Sequence, residues 1–137
     1  MGTEINQAFL DGMTGSRSLP ALQREMGKLT SAGTFLPGDG YLTDLLKRLE
    51  SRYTRLTGMC DSVAWQGIQQ IDITQALSNS NIPTKVIWGR RDDIIPWKHA
   101  LAAPASAALH LVPDVGHMPQ WEASALTQSL LGDMLGT

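Results

Sequence analysis

The stretch Ile82-Pro83-Thr84-Lys85-Val86-Ile87-Trp88-Gly89-Arg90-Arg91-Asp92-Asp93-Ile94-Ile95-Pro96 decides how the chain is read. Thr84 to Trp88 is a β-branched and aromatic run that stops at Gly89, which predicts a strand. A second run, Ala108-Leu109-His110-Leu111-Val112, is halted by Pro113 and predicts another. Between them, Pro96 to Ala103 suits a short helix opened by proline. Ala123, Leu126, Leu130, Leu131, Met134 and Leu135 recur at helical spacing and predict an amphipathic closing helix. Strand, helix, strand, helix with short connections implies two parallel neighbours joined by a right-handed crossover. Residues 81–137 therefore read as a β-α-β-α unit.

In open parallel sheets, functional groups collect in the loops beyond the carboxyl ends of the strands. Two such loops exist, Gly89 to Pro96 and Pro113-Asp114-Val115-Gly116-His117-Met118-Pro119. Adjacent strands lie about 4.8 Å apart, so Asp92, three residues past Gly89, can meet His117, five past Val112. A carboxylate in that place holds an imidazole in one tautomer and leaves its other nitrogen as a general base. Asp93 is the alternative partner, although strand register favours Asp92. The same spacing also suits a turn aspartate and a surface histidine that never meet.

Before residue 80 the apolar residues recur at helical spacing. Ile5, Phe9 and Met13 line one stripe, and Leu19, Leu22, Met26 and Leu29 another, with Pro20 in a first turn. Gly33 and Pro37-Gly38-Asp39-Gly40 break the pattern. A third stripe runs through Tyr41, Leu45, Leu49, Tyr53 and Leu56, with Lys47, Arg48, Arg52 and Arg55 on a solvated face, and Gly58 is expected to end that helix. Further short helices are expected over Asp61 to Gln70 and Thr74 to Ser78.

The chain has 137 residues, the usual size of one domain, with 42% hydrophobic and 18% charged residues, enough apolar material for a core. Eleven basic and 13 acidic side chains leave a formal charge of −2. Neither nucleic acid nor an anionic membrane is an expected partner of such a surface. One cysteine, Cys60, excludes an internal disulfide framework, and three scattered histidines do not have metal-ligand spacing. There is no apolar run of the ~18 residues that a membrane span needs. No signal-peptide pattern is visible at the amino terminus, so a cytoplasmic location is expected. With no G-x-G-x-x-G and no P-loop, a nucleotide cofactor is not supported.

The segment from Ile82 to Pro96, followed by Val115-Gly116-His117-Met118-Pro119-Gln120-Trp121-Glu122, resembles the carboxyl-terminal section of the α/β-hydrolase fold. In that superfamily "P…-W-G-x-x-D-x-x-x-P" delivers the acid of a catalytic triad and "G-H-M-x-x-x-E" delivers its histidine. The resemblance implies that Asp92 is the acid and His117 the base. The wording "W-G-R-x-D-x-I-I-P … G-H-M-x-Q-x-E", with Ala8-Phe9-Leu10-Asp11-Gly12 earlier, is similar to the hydrolase-like catalytic domain of the acetoin dehydrogenase dihydrolipoyl acetyltransferase subunit. The resemblance implies that residues 1–80 are the helical cap or lid and 81–137 the end of the core. It also implies an acyl group passing between a lipoyl group and coenzyme A in the parent enzyme, with a multienzyme dehydrogenase complex as partner. No cofactor is expected in this chain itself.

That superfamily places its nucleophile in a G-x-S-x-G turn ahead of the acid and histidine, and the sequence contains no such turn. The expectation is therefore a carboxyl-terminal portion of an acyltransferase or hydrolase, inactive alone and associating with the missing half or with its own copies. A non-catalytic assembly or binding module is the alternative. Gly58-Met59-Cys60 echoes a nucleophile turn, but a charged helical stretch precedes it where a strand is needed, so Cys60 reads as a half-buried helix-end cysteine. His99 in a surface helix and His110 within a strand read as structural. Glu122 reads as a cap of the final helix. Arg90 and Arg91 are candidates for binding an anionic acyl carrier, weighed against ordinary solvated loop arginines.

Overall fold

The computed structural model describes residues 2–33 and 36–136. The chain begins with helices, each started by local chemistry. Asn6 accepts a hydrogen bond from the Phe9 N–H and opens α1 (Gln7–Gly15). Ser18 does the same for Ala21 at α2 (Leu19–Gly27), with Pro20 in the first turn. In α3 (Asp39–Glu50), Asp39 sits in the first turn and Lys47 and Arg48 in the last, both matching the helix dipole. Leu22, Met26 and Leu42 are buried at the centre of this helical region, surrounded by Met13, Leu19, Leu29, Leu45, Leu46 and Leu49.

Three expectations for this region change. The third stripe is two helices, because α3 ends at Glu50 and α4 (Tyr53–Val63) restarts after Ser51 and Arg52. The Arg52 N–H bonds back to Leu49, which closes α3 in a tight turn. The break carries Tyr53 onto the corner between α1 and α2, where its hydroxyl donates to the Ser16 carbonyl and Arg17 stacks on its ring. Gly58 lies within α4 rather than at its end. Nor does Asp61 to Gln70 form a helix. After Val63 comes a hairpin of β1 (Ala64–Trp65) and β2 (Ile68–Gln69), turned by Gln66 and Gly67, both at positive φ. Residues near the amino terminus pair against it: Ile5 N–H bonds to Gly67 and Gln69 N–H to Thr3. This pairing between distant segments overrides local helical preference.

After a short α5 (Thr74–Ser78), β3 (Thr84–Gly89) and β4 (Ala107–Val112) form a parallel pair in register from Thr84↔Ala107 to Gly89↔Val112. The connection contains a 3₁₀ turn (Trp97–Ala102) rather than an α-helix. Next come α6 (Pro119–Glu122) and α7 (Ser124–Leu135), closed by Gly136 in the left-handed conformation. Among the described residues β3 has a partner strand on one side only. Along α7 only Leu130 is buried, while Leu126, Leu131, Met134 and Leu135 are exposed. Of the apolar residues expected to face a core from this helix, Leu130 does so and the others stay open in the described chain. No helix among the described residues is long and apolar enough to cross a membrane.

Candidate active site

The two strands end side by side, and their outgoing loops are laced together. Arg90 N–H bonds to Val112, Arg91 N–H to Val115, and Asp92 N–H turns back to Gly89. Gly89 is required at this crossing, since a Cβ there would fall on the backbone oxygens of Val115 and Gly116. The Trp88 indole N–H reaches the Ile95 carbonyl at 3.3 Å and holds the far side of the first loop.

Asp92 is at the centre. One carboxylate oxygen accepts the N–H groups of Ile94 and Ile95, each at 2.9 Å. The other lies 3.0 Å from His117 Nδ1. The Asp92 side chain is 3% exposed and that of His117 is 28% exposed, so the acid is sealed and the imidazole reaches the surface. An ionised carboxylate only accepts, so in the neutral imidazole the pairing places the proton on Nδ1 and leaves the lone pair on Nε2. Asp92 and His117 line an open cleft of about 190 Å³ with Ile87, Trp88, Gly89, Ile95 and Pro119. An imidazole fixed this way can take up and return a proton at Nε2 beside an apolar wall.

The two loops bring these side chains together as their spacing implies, and Asp92 rather than Asp93 is the partner. Asp93 contributes its carbonyl, which accepts from the Asn6 side-chain amide at 2.9 Å, while the Asn6 N–H bonds to Ile94 at 2.8 Å. Asn6 therefore caps α1 and braces the acid loop at once. Nothing local in the sequence signals the second role.

Other candidates stand elsewhere. Cys60 lines a separate apolar cavity of about 250 Å³ with Ile5, Leu10, Leu56, Met59, Val63 and Ala64. Burial first, then the nearby Asp61 and Asp11, push its thiol above the ordinary range, the opposite of what a nucleophile needs. His99 is buried rather than on a surface helix, packed against Gly2. His110 lies on β4 as expected. Arg91 pairs with Asp114 at 2.8 Å, and Arg90 stacks over Trp97. Glu122 does not cap α7. Its carboxylate instead accepts from Gly116 and from Ser31 in the helical region. Among the described residues no three histidine, cysteine or carboxylate groups cluster as a metal site would require.

A parallel strand pair whose loops present a paired aspartate and histidine beneath a helical region is a feature of α/β hydrolases. The sequence profile of the α/β-hydrolase fold matches residues 14–124, and the chain belongs to that family. It is 34% identical over 137 residues to the dihydrolipoyllysine-residue acetyltransferase component of the acetoin cleaving system of Cupriavidus necator, covering 98% of this chain and 36% of that protein. It is 27% identical over 130 residues to a 2-hydroxy-6-oxononadienedioate/2-hydroxy-6-oxononatrienedioate hydrolase of Pseudomonas putida, covering 93% of this chain and 45% of that one. In structure it resembles a meta-cleavage product hydrolase from Pseudomonas fluorescens, with a TM-score of 0.75 at 17% identity, over 98% of this chain and 52% of the other. The chain thus spans between about a third and a half of the length of these relatives.

Proposed function

We propose that this chain supplies the cap and the acid–base pair of an α/β-hydrolase-fold acyl-transfer enzyme whose nucleophile lies outside it. The observation that carries this reading is the 3.0 Å contact between His117 Nδ1 and the sealed Asp92 carboxylate at the edge of an apolar cleft. In the proposed reaction, Nε2 of His117 removes the proton from a serine hydroxyl as its oxygen attacks an ester or thioester carbonyl. Asp92 holds the imidazolium that forms. Collapse of the tetrahedral intermediate breaks the bond to the leaving thiol or alcohol, which takes the proton back from His117. A second thiol or water then repeats the sequence in reverse and releases the acyl group.

The 34% identity to the acetoin-system acetyltransferase component favours an acetyl group moving between a dihydrolipoyl thiol and coenzyme A. Residues 1–80 act as the cap and 81–137 as the end of the core. The open edge of β3 and the bare apolar face of α7 are where the rest of the fold adds a strand and a packing layer; a second copy of the chain is the other occupant. The test joins this chain to the preceding half of the fold, with a G-x-S-x-G turn, and follows acetyl ester hydrolysis and light scattering together. Activity is expected only in the joined form and is lost on His117→Ala, while the isolated chain self-associates and stays at the background of free imidazole. Full activity of the joined His117→Ala protein would overturn the proposal.

A further inference from the structure

Three segments far apart in sequence meet backbone to backbone behind His117. Gly89 at the end of β3 lies against Val115 and Gly116, and Gly116 lies against Thr30 and Ser31 from the helical region. A Cβ on Gly116 would sit 2.6 Å from the Ser31 nitrogen and 2.8 Å from the Thr30 carbonyl carbon, so no side chain fits between them. One carboxylate closes this stack. Glu122 Oε2 accepts the Gly116 N–H at 2.7 Å, and Oε1 accepts the Ser31 N–H at 2.8 Å and lies 2.5 Å from the Ser31 hydroxyl. The same hydroxyl is 2.8 Å from the carbonyl of Asp114, at the start of the histidine loop.

Gly116 immediately precedes His117, so whatever fixes its peptide fixes where the imidazole starts. Hydrogen bonds to an ionised group are about twice as strong as neutral ones. We propose that Glu122 is a positioning residue for His117, acting through the Gly116 N–H, and that Ser31 extends this hold to the helical region. Displacement of the helical region then reaches the histidine through one carboxylate. The name "positioning residue" rests on His117 being the general base, but the physical claim concerns only the alignment of His117 on Asp92.

Proton NMR of the full chain reads that alignment without any activity. The His117 Nδ1–H, assigned by its absence in His117→Gln, is observed in Glu122→Gln, Glu122→Ala and Ser31→Ala. Glutamine keeps an oxygen for Ser31 but turns an amide donor toward the Gly116 N–H, so it breaks the link to the histidine loop alone. Exchange of the Nδ1 proton is expected to quicken on the order of tenfold in Glu122→Gln, the factor equivalent to one lost charge-assisted hydrogen bond. Its signal should vanish in Glu122→Ala, and Ser31→Ala should fall between wild type and Glu122→Gln. Tyr53→Phe removes a neutral hydrogen bond to Ser16 elsewhere in the helical region and should leave the signal unchanged. An unchanged signal in Glu122→Gln overturns the proposal, as does an equal change in Tyr53→Phe, which would mean general loosening. Should Glu122→Ala fail to fold, Glu122→Gln and Ser31→Ala decide the matter. A result in favour stands even if His117 proves to have no part in catalysis, which the joined enzyme tests separately.

Discussion

Replacing Asp92 by asparagine or by alanine separates its two tasks. Alanine removes every acceptor: the Ile94 and Ile95 N–H groups lose their 2.9 Å partner and His117 Nδ1 loses its own, all beside a side chain only 3% exposed. An unmatched buried donor costs about 1–3 kcal/mol, so the three together amount to roughly 3–5 kcal/mol after partial access of water to His117. That is a large share of the ~5–15 kcal/mol that holds a domain folded. With an m-value of about 2 kcal/mol per molar urea, the midpoint should fall by roughly 1.5–2.5 M. Asparagine keeps an oxygen on Ile94 and Ile95 and presents an NH2 to His117, at a cost of about 1 kcal/mol. Two donors cannot face each other, so the His117 proton must move to Nε2. Urea titration measures the first effect, and imidazole ¹⁵N shifts measure the second. In the joined enzyme the wrong tautomer should cost activity on the order of 10⁴-fold. Equal destabilisation by the two variants, or a proton still on Nδ1 in Asp92→Asn, would refute this division of labour.

Gly116→Ala forces a Cβ against the Thr30 and Ser31 backbone and should destabilise by about 1–3 kcal/mol in urea, whereas Gly58→Ala, with open space around its Cβ in α4, should stabilise by up to about 1 kcal/mol. Cys60 should react slowly with iodoacetamide at neutral pH and speed up only above the pH at which an ordinary thiol ionises, because burial favours its neutral form. Since its folded-state pKa is raised, the associated stability is present below the ordinary thiol pKa and lost as pH rises through the folded value.

How much of this was legible from the sequence follows from how local each cause is. Asp92 and His117 are legible because short loops after adjacent parallel strands leave two side chains little room to diverge. The strands themselves were marked by Pro83, Gly89 and Pro113. The hairpin at 64–69 is not legible because Gln66 takes a positive φ without the usual asparagine, and because its stabilising partners are Thr3 and Ile5. The break between α3 and α4 contains neither glycine nor proline, and Tyr53 finds its partner at Ser16. A location near a helix start suggests a cap at Glu122, whereas its carboxylate serves Gly116 and Ser31, the latter 91 residues away.

That separation has a kinetic consequence. Contacts between distant residues are made late, since a long loop must close before they contribute anything. The helical stripes and the strand–turn–strand unit can each take shape from neighbouring residues. The seat of the histidine cannot: it waits for Thr30–Ser31, Gly89 and Gly116 to arrive together, with Glu122 following. A chain emerging from the ribosome would hold Asp92 in its loop while His117 was still unmade, and the alignment would be completed only after Glu122 had followed. The same ordering runs backwards under stress, so the imidazole should lose its alignment before the helices melt.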